Sequence, residues 1–255
     1  MFSIFLIPAF QDNYIWALVD LLQKQAIIVD PGEAEPVLSF LRAHQLTLAS
    51  ILITHKHYDH TDGIAELLSV FSDVTVVSSS QKNIVATTQV VVDQEMIKID
   101  NQACQIIAIP GHTLEHIAYY CKPFLFCGDT LFTNGCGRVF EGTAAQMLDS
   151  LKKLMALPDE TQIYCGHEYT LSNIEFALQV EPDNIALQTR YADAKKLRSE
   201  NKPTVPSTLV LEKATNPFLR CTEQTVINAV SQHVGKKLYD EVAVFSALRA
   251  WKNRF

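Results

Sequence analysis

The stretch "ASILITHKHYDHTDG", residues 49–63, decides how the chain is read. Its first part, "ASILIT" 49–54, has the length and the β-branched content of a buried strand. That strand leads straight into His55, His57, Asp59 and His60, four metal-binding side chains within six positions. In extended backbone alternate residues share a side, so His55 and His57 point at one ion, while a turn through Tyr58 directs Asp59 and His60 at a second. Imidazole and carboxylate donors suit zinc first, and iron or manganese after it. The competing reading is a solvated loop rich in His and Asp, which would require three of the chain's eight histidines to gather beside an aspartate by chance.

Further along, the same grammar recurs three times. His112 in "IPGHT", Asp129 in "FCGDT" and His167 in "YCGHE" each follow an apolar run and a glycine. Glycine lets the backbone turn tightly, so the next side chain can project from a sheet edge. Any one of the three could be a capping aspartate or a satisfied histidine; three repeats beside the first cluster read as a ligand set.

Around these motifs the first two-thirds alternate short β-type runs (14–20, 25–30, 49–54, 74–79, 105–110, 117–121, 124–129) with helical patterns at 33–45, 64–71 and 143–157. This is a mixed α/β domain. After "QIYCGHE" 162–168 the texture turns to helices joined by polar loops, with "TLVLE" 208–212 as the one strand candidate, so a boundary is placed near residue 168: a domain over 1–168 and a second, helical one over 169–255. The formal net charge is −7 over 255 residues, which excludes a broad basic face for nucleic acid or an anionic membrane. The deficit is uneven, with 9 basic and 18 acidic residues in 1–167 against 12 and 10 in 168–255, so counter-charges for an anionic ligand lie in the last third. Six cysteines form no CxxC pair and read as small buried hydrophobes, with no disulfide framework. The apolar N-terminus "MFSIFLIPAF" is too short for a membrane span and lacks the basic start of a signal peptide, so a cytoplasmic protein is expected.

"THKHYDH" resembles the THxHxDH signature of the metallo-β-lactamase superfamily, and "IPAFQDNYIW", "VDPGEAEPV", "PGHT", "FCGDTLF", "GCGRVFEGT", "CGHEYTLSN" and the tail "LRAWKNRF" together resemble the glyoxalase II, or hydroxyacylglutathione hydrolase, family. The resemblance implies an α/β fold of αββα sandwich type followed by a helical domain that helps bind glutathione. It implies two metal ions per chain, zinc by usual expectation with iron or manganese also known. One would sit on His55, His57 and His112, the other on Asp59, His60 and His167, with Asp129 and a hydroxide bridging them. Asp59 and Asp129 would also serve the chemistry, Asp59 by orienting the hydroxide. The substrate implied is S-D-lactoylglutathione, a small-molecule glutathione thioester, hydrolysed in the second step of methylglyoxal detoxification; a monomer is expected. Glutathione would be met by Arg138, Tyr169, Asn173, Arg249 and Lys252.

Five positions depart from the family pattern: Lys56 inside the signature, Thr61 and Asp62, Glu115, and Phe140 in place of a tyrosine. None removes a ligand, but Lys56 is tolerable beside two cations only if it points to solvent. A thiolate with an intrinsic pKa near ~8.5 leaves without a dedicated general acid, and none is evident. His44 and His233 read as solvent-facing, and His116 as packing rather than ligation. Asp30 either orients a ligand histidine or caps a turn, and Arg249 and Lys252, three apart, share the helix face of Val242, Phe245 and Leu248. A one-iron persulfide dioxygenase of the same superfamily needs fewer ligands than the full second set, an RNA nuclease fits the acidic first part poorly, and a non-catalytic metal-binding protein leaves seven ligands unexplained.

Overall fold

The computed structural model describes residues 2–84, 86–99 and 102–255. The chain divides into two units, Met1–Ala108 with Glu115–Gly128, and Ile109–Leu114 with Asp129–Phe255.

The first unit begins with two antiparallel pairings, β1 (Ser3–Ala9) with β2 (Asn13–Asp20) and β2 with β3 (Gln25–Val29). It continues in parallel through β4 (Thr47–Leu52), β5 (Thr75–Ser78) and β6 (Gln89–Val90), giving one sheet in the order of the chain. Parallel strands require crossovers: α1 (Ala34–His44) supplies that from β3 to β4, and α3 (Ile64–Val70), after the short α2 (Tyr58–Thr61), that from β4 to β5. Val37 and Leu41 of α1 and Ile64 and Leu67 of α3 bury against Ile28, Ile51 and Val76. A second, antiparallel set follows as a meander: β7 (Met96–Ile99), β8 (Gln102–Ala108), β9 (Ile117–Cys121) and β10 (Phe124–Gly128). Tyr119 of β9, fully buried, joins the two sheets by donating its hydroxyl towards the carbonyls of Ile53 (2.9 Å) and Val77 (3.0 Å).

One cysteine expectation is corrected. Cys104 and Cys121 form a disulfide. The register pairs Gln105 with Tyr120, which sets these cysteines opposite each other on β8 and β9, Cα atoms 4.2 Å apart. Cys127, Cys136, Cys165 and Cys221 are free and buried, as small hydrophobes.

The second unit contains a two-stranded hairpin, β11 (Leu131–Phe132) with β12 (Gly135–Cys136), and the pair β13 (Gln162–Cys165) with β14 (Ser207–Thr208). Its helices are α4 (Ala144–Met155), α5 (Thr170–Val180), α6 (Ile185–Ser199), α7 (Leu209–Thr215), α8 (Gln224–Val234) and α9 (Glu241–Lys252). Thr143 and Gln146 form a reciprocal capping box at the start of α4. The strand expected at 208–212 is a further correction: only Ser207–Thr208 is extended, and Leu209–Thr215 is helical. The reason is Glu212. Helical spacing puts Glu212 and Thr215 on one face, where both bind the guanidinium of Arg190, Glu212 through a short ion pair and Thr215 at 2.6 Å. Glu212 also receives Ser207 Oγ (2.5 Å), Asn216 Nδ2 (3.0 Å) and the amide of Asn134 (2.8 Å). Among the described residues no helix is long and apolar enough to cross a membrane.

Glu212 and Arg190 are 0% and 7% exposed. Removing one partner of such a pair strands a buried charge, so Glu212→Ala is expected to lower unfolding free energy by about 3–5 kcal/mol, measured by urea denaturation. A loss under about 1 kcal/mol, the size of an exposed pair, would contradict this assignment.

Candidate functional site

The carboxyl ends of the parallel strands β3 and β4 hold the first group of candidates. Asp30, immediately after β3, accepts the amide of Thr54 on Oδ1 (2.7 Å) and the Thr54 hydroxyl on Oδ2 (2.6 Å), which ties the ends of the two strands. The same Oδ2 stands 3.1 Å from His60 Nδ1. The Asp30 carboxylate thus binds the neighbouring strand and the His60 ring together, rather than the turn that follows β3. With Nδ1 engaged, His60 turns Nε2 towards Asp59 Oδ2, 3.5 Å away. Asp59 in turn is held by Asn13, whose Nδ2 donates to its Oδ2 (3.0 Å) and to its carbonyl (3.2 Å).

His55 and His57 share a side, as alternation in extended backbone requires: their rings stand edge to face at 4.8 Å, with His55 Nε2 3.1 Å from His57 Nδ1. His55 is fully buried and carries His116 stacked on its ring at 4.5 Å, so His116 packs on a candidate ligand. Asp30, His55 and His60 offer ligand atoms within 4.8 Å of one another. Lys56 points away and pairs with Glu115 at 3.6 Å. Gly128, at φ +47°, has room only for hydrogen: a Cβ there would lie 2.3 Å from Thr54 Oγ1.

The second unit holds the other candidates. Asp129 Oδ2 lies 3.5 Å from His112 Nε2 and 3.4 Å from His167 Nε2. All three residues are buried. His112 Nδ1 bonds the Arg138 carbonyl at 2.9 Å, which leaves Nε2 for Asp129. The loop bearing Arg138 comes so close that a Cβ on Gly137 would meet the Asp129 carbonyl at 1.9 Å. His167 is stacked on Tyr169 at 4.7 Å and meets Phe132 edge-on. Phe140, 61% exposed, lies 5.2 Å from the His112 ring.

These separations test the donor set for metal ions. Two ligands on a tetrahedral ion, each about 2.1 Å from it, stand about 3.4 Å apart. The Asp129–His112, Asp129–His167 and Asp59–His60 spacings of 3.5, 3.4 and 3.5 Å match that edge and are long for hydrogen bonds. The donors are imidazole nitrogens with one face fixed by a second group, and carboxylate oxygens; the chemistry and the spacing both fit.

The residues expected to meet glutathione are placed differently from one another. The Arg138 side chain is exposed, and its carbonyl does the work on His112. Asn173 is buried and donates to the Thr133 carbonyl at 3.1 Å. Arg249 is neither a frayed helix end nor an outward clamp. It is 7% exposed, lies over the Phe218 ring and donates to the Cys136 carbonyl at 2.6 Å. Lys252 is half-buried, donates to the Ser172 carbonyl at 2.9 Å and lies over Phe176 and Phe255. Burial, then the Arg249 charge beside it, brings the Lys252 ammonium down to about 8, against an opposing pull from Glu175. Sequence reasoning does not single out Asn13, although it lies within "IPAFQDNYIW", because its contact with Asp59 joins residues 46 apart.

Residues 15–102 and 105–167 match the metallo-β-lactamase superfamily, and residues 168–255 match the hydroxyacylglutathione hydrolase C-terminus. A hydroxyacylglutathione hydrolase of Vibrio cholerae is 48% identical over 255 residues, covering all of both chains, and one of Vibrio vulnificus is 49% identical over the same span. In fold, the chain is similar to the crystal structure of ETHE1 from Myxococcus xanthus, with a TM-score of 0.66 and 24% identity over 99% of this chain and 98% of that one. Matched along its full length, the chain belongs to the hydroxyacylglutathione hydrolase, or glyoxalase II, family of the metallo-β-lactamase superfamily.

Proposed function

We propose that the chain hydrolyses S-D-lactoylglutathione to glutathione and D-lactate, the second step of methylglyoxal detoxification, using two metal ions. One ion is assigned to His55, His57 and His112, the other to Asp59, His60 and His167, and Asp129 to both. The observation that carries the reading is Asp129 Oδ2 at ligand-edge distance from two imidazoles, 3.5 and 3.4 Å. Zinc fits the nitrogen and oxygen donors and outranks iron and manganese in general affinity. When bound, the ions supply Lewis acidity to the thioester carbonyl and make hydroxide available near neutral pH.

The chain's own residues prepare that chemistry. Asp30 and the Arg138 carbonyl fix the tautomers of His60 and His112, so that in each case Nε2 is the ligand atom. Asn13 fixes Asp59 in the same way. The leaving thiolate needs no proton donor. Residues 1–168 are assigned as the catalytic domain and 169–255 as the helical glutathione-binding domain, in the cytoplasm, acting as a monomer. Within the second, Lys252 is the cation assigned to the glutathione carboxylates, joined by Arg138 from the first, with Tyr169 and Asn173 as further contacts. Arg249 acts from behind them: its guanidinium holds the Cys136 carbonyl, and its charge adds to the field at Lys252.

Asp129→Ala is expected to lower turnover of S-D-lactoylglutathione by more than about 100-fold, the upper limit for losing a group that only orients a ligand, and to reduce bound metal below two per chain. A purified variant that keeps two ions and near-normal turnover would remove Asp129 from its assigned place.

Lys252 sets a pH dependence. Its ammonium is charged below about pH 8 and neutral above, so KM for the anionic substrate is expected to rise through that point. Lys252→Met should raise KM at pH 7 by about fivefold to tenfold, the effect of one partly solvated charged hydrogen bond, and flatten the rise above pH 8. Turnover at saturation should hold, because a remote contact acts alike in ground and transition states. An unchanged KM profile would take Lys252 out of substrate binding.

A further inference from the structure

Residues 54–56 and 115–117 run side by side in opposite directions and touch at three successive positions. The Thr54 carbonyl accepts the Ile117 amide at 3.0 Å. His116 stacks on His55, ring planes within 9°. Glu115 takes both ends of Lys56: Oε1 accepts its amide at 3.2 Å, and Oε2 faces its ammonium at 3.6 Å. Glu115 is itself anchored, because its carbonyl accepts the Ser79 hydroxyl at 2.5 Å. Its Oε2 is a buried oxygen with no hydrogen-bond donor among the described residues, so the ammonium is the counter-charge facing it.

The structure brings Lys56 and Glu115 together across 59 residues of sequence. A lysine between two metal-ligand histidines poses a definite electrostatic problem. Alternation sends its stem to the side away from His55 and His57, yet its charge still raises the potential where divalent cations would bind. A carboxylate on that same side removes the excess charge, and its second oxygen holds the backbone between the two imidazoles.

We infer that Glu115 is a positioning residue for the segment His55-Lys56-His57: its carboxylate fixes the Lys56 amide and neutralises the Lys56 ammonium, and so maintains metal affinity beside a lysine. The inference rests on the reading of His55 and His57 as metal ligands. An ordinary partly exposed ion pair would contribute little to stability, and stability is not the property at issue. The pair acts on cation binding, with a sign that depends on which partner is removed.

The experiment compares the metal-free full chain with Glu115→Gln, Lys56→Gln and the double variant, reading zinc affinity by competition with a chromogenic chelator and folding by the melting temperature without metal. The amide oxygen introduced by Glu115→Gln still accepts the Lys56 amide but removes the carboxylate charge that faces the ammonium, so zinc binding is expected to weaken by about tenfold, the lower end for groups that hold metal ligands. Lys56→Gln leaves the carboxylate unneutralised and should tighten zinc binding by about twofold to tenfold on the same scale. The double variant should return to within about threefold of the parent, which loss of packing would not do. Zinc binding by Glu115→Gln equal to the parent's, or a double variant as weak as Glu115→Gln, would overturn the role of Glu115 while leaving the metal reading intact. A parent that takes up no zinc would overturn the metal reading and this inference with it. Should Glu115→Gln fail to fold, Lys56→Gln decides the matter alone: tighter binding supports the inference, and equal or weaker binding overturns it.

Discussion

A single carboxylate oxygen, Asp129 Oδ2, is held 3.5 Å from His112 Nε2 and 3.4 Å from His167 Nε2, and the chain around it is shaped to keep that oxygen in place. The hairpin that follows Asp129 has only two paired residues in each strand. Four of its backbone groups are met by side chains from the helical region: Asn173 on the Thr133 carbonyl, Asn216 on the Gly135 carbonyl, Arg249 on the Cys136 carbonyl and Glu212 on the Asn134 amide. A buried carbonyl or amide left without a partner costs about 1–3 kcal/mol, so these residues make the hairpin a rigid support. The helices α5, α7 and α9 therefore have a task at Asp129 before any question of substrate arises.

The same economy appears at the ends of β3 and β4. Asp30 joins the two strands through Thr54 and fixes His60 with the same oxygen. Imidazoles with one nitrogen already engaged have little freedom left, and the entropy of ordering them is spent in folding rather than in binding a ligand. Arg138 does likewise for His112, through its backbone rather than its charge.

Much of this was legible in the sequence because period and punctuation are local signals. The strand before His55, the helices α1, α3 and α4 and the glycine-led histidines and aspartate were all readable from neighbours in the chain. What was not legible depends on register or on distant partners. Cys104 and Cys121 pair only because Gln105 faces Tyr120. "TLVLE" carries β-branched residues, yet Glu212 must meet Arg190, and a helix is what aims it there. Arg249, balanced on sequence alone between a solvated end and a substrate clamp, is instead bound to a backbone carbonyl 113 residues away.

The most direct test of the assigned centre is a zinc titration of the metal-free protein, following hydrolysis of S-D-lactoylglutathione by absorbance. On the proposed assignment of Asp129 to both ligand sets, activity is expected to rise and level off at two zinc ions per chain. A plateau at one ion, or full activity in the metal-free protein, would contradict it.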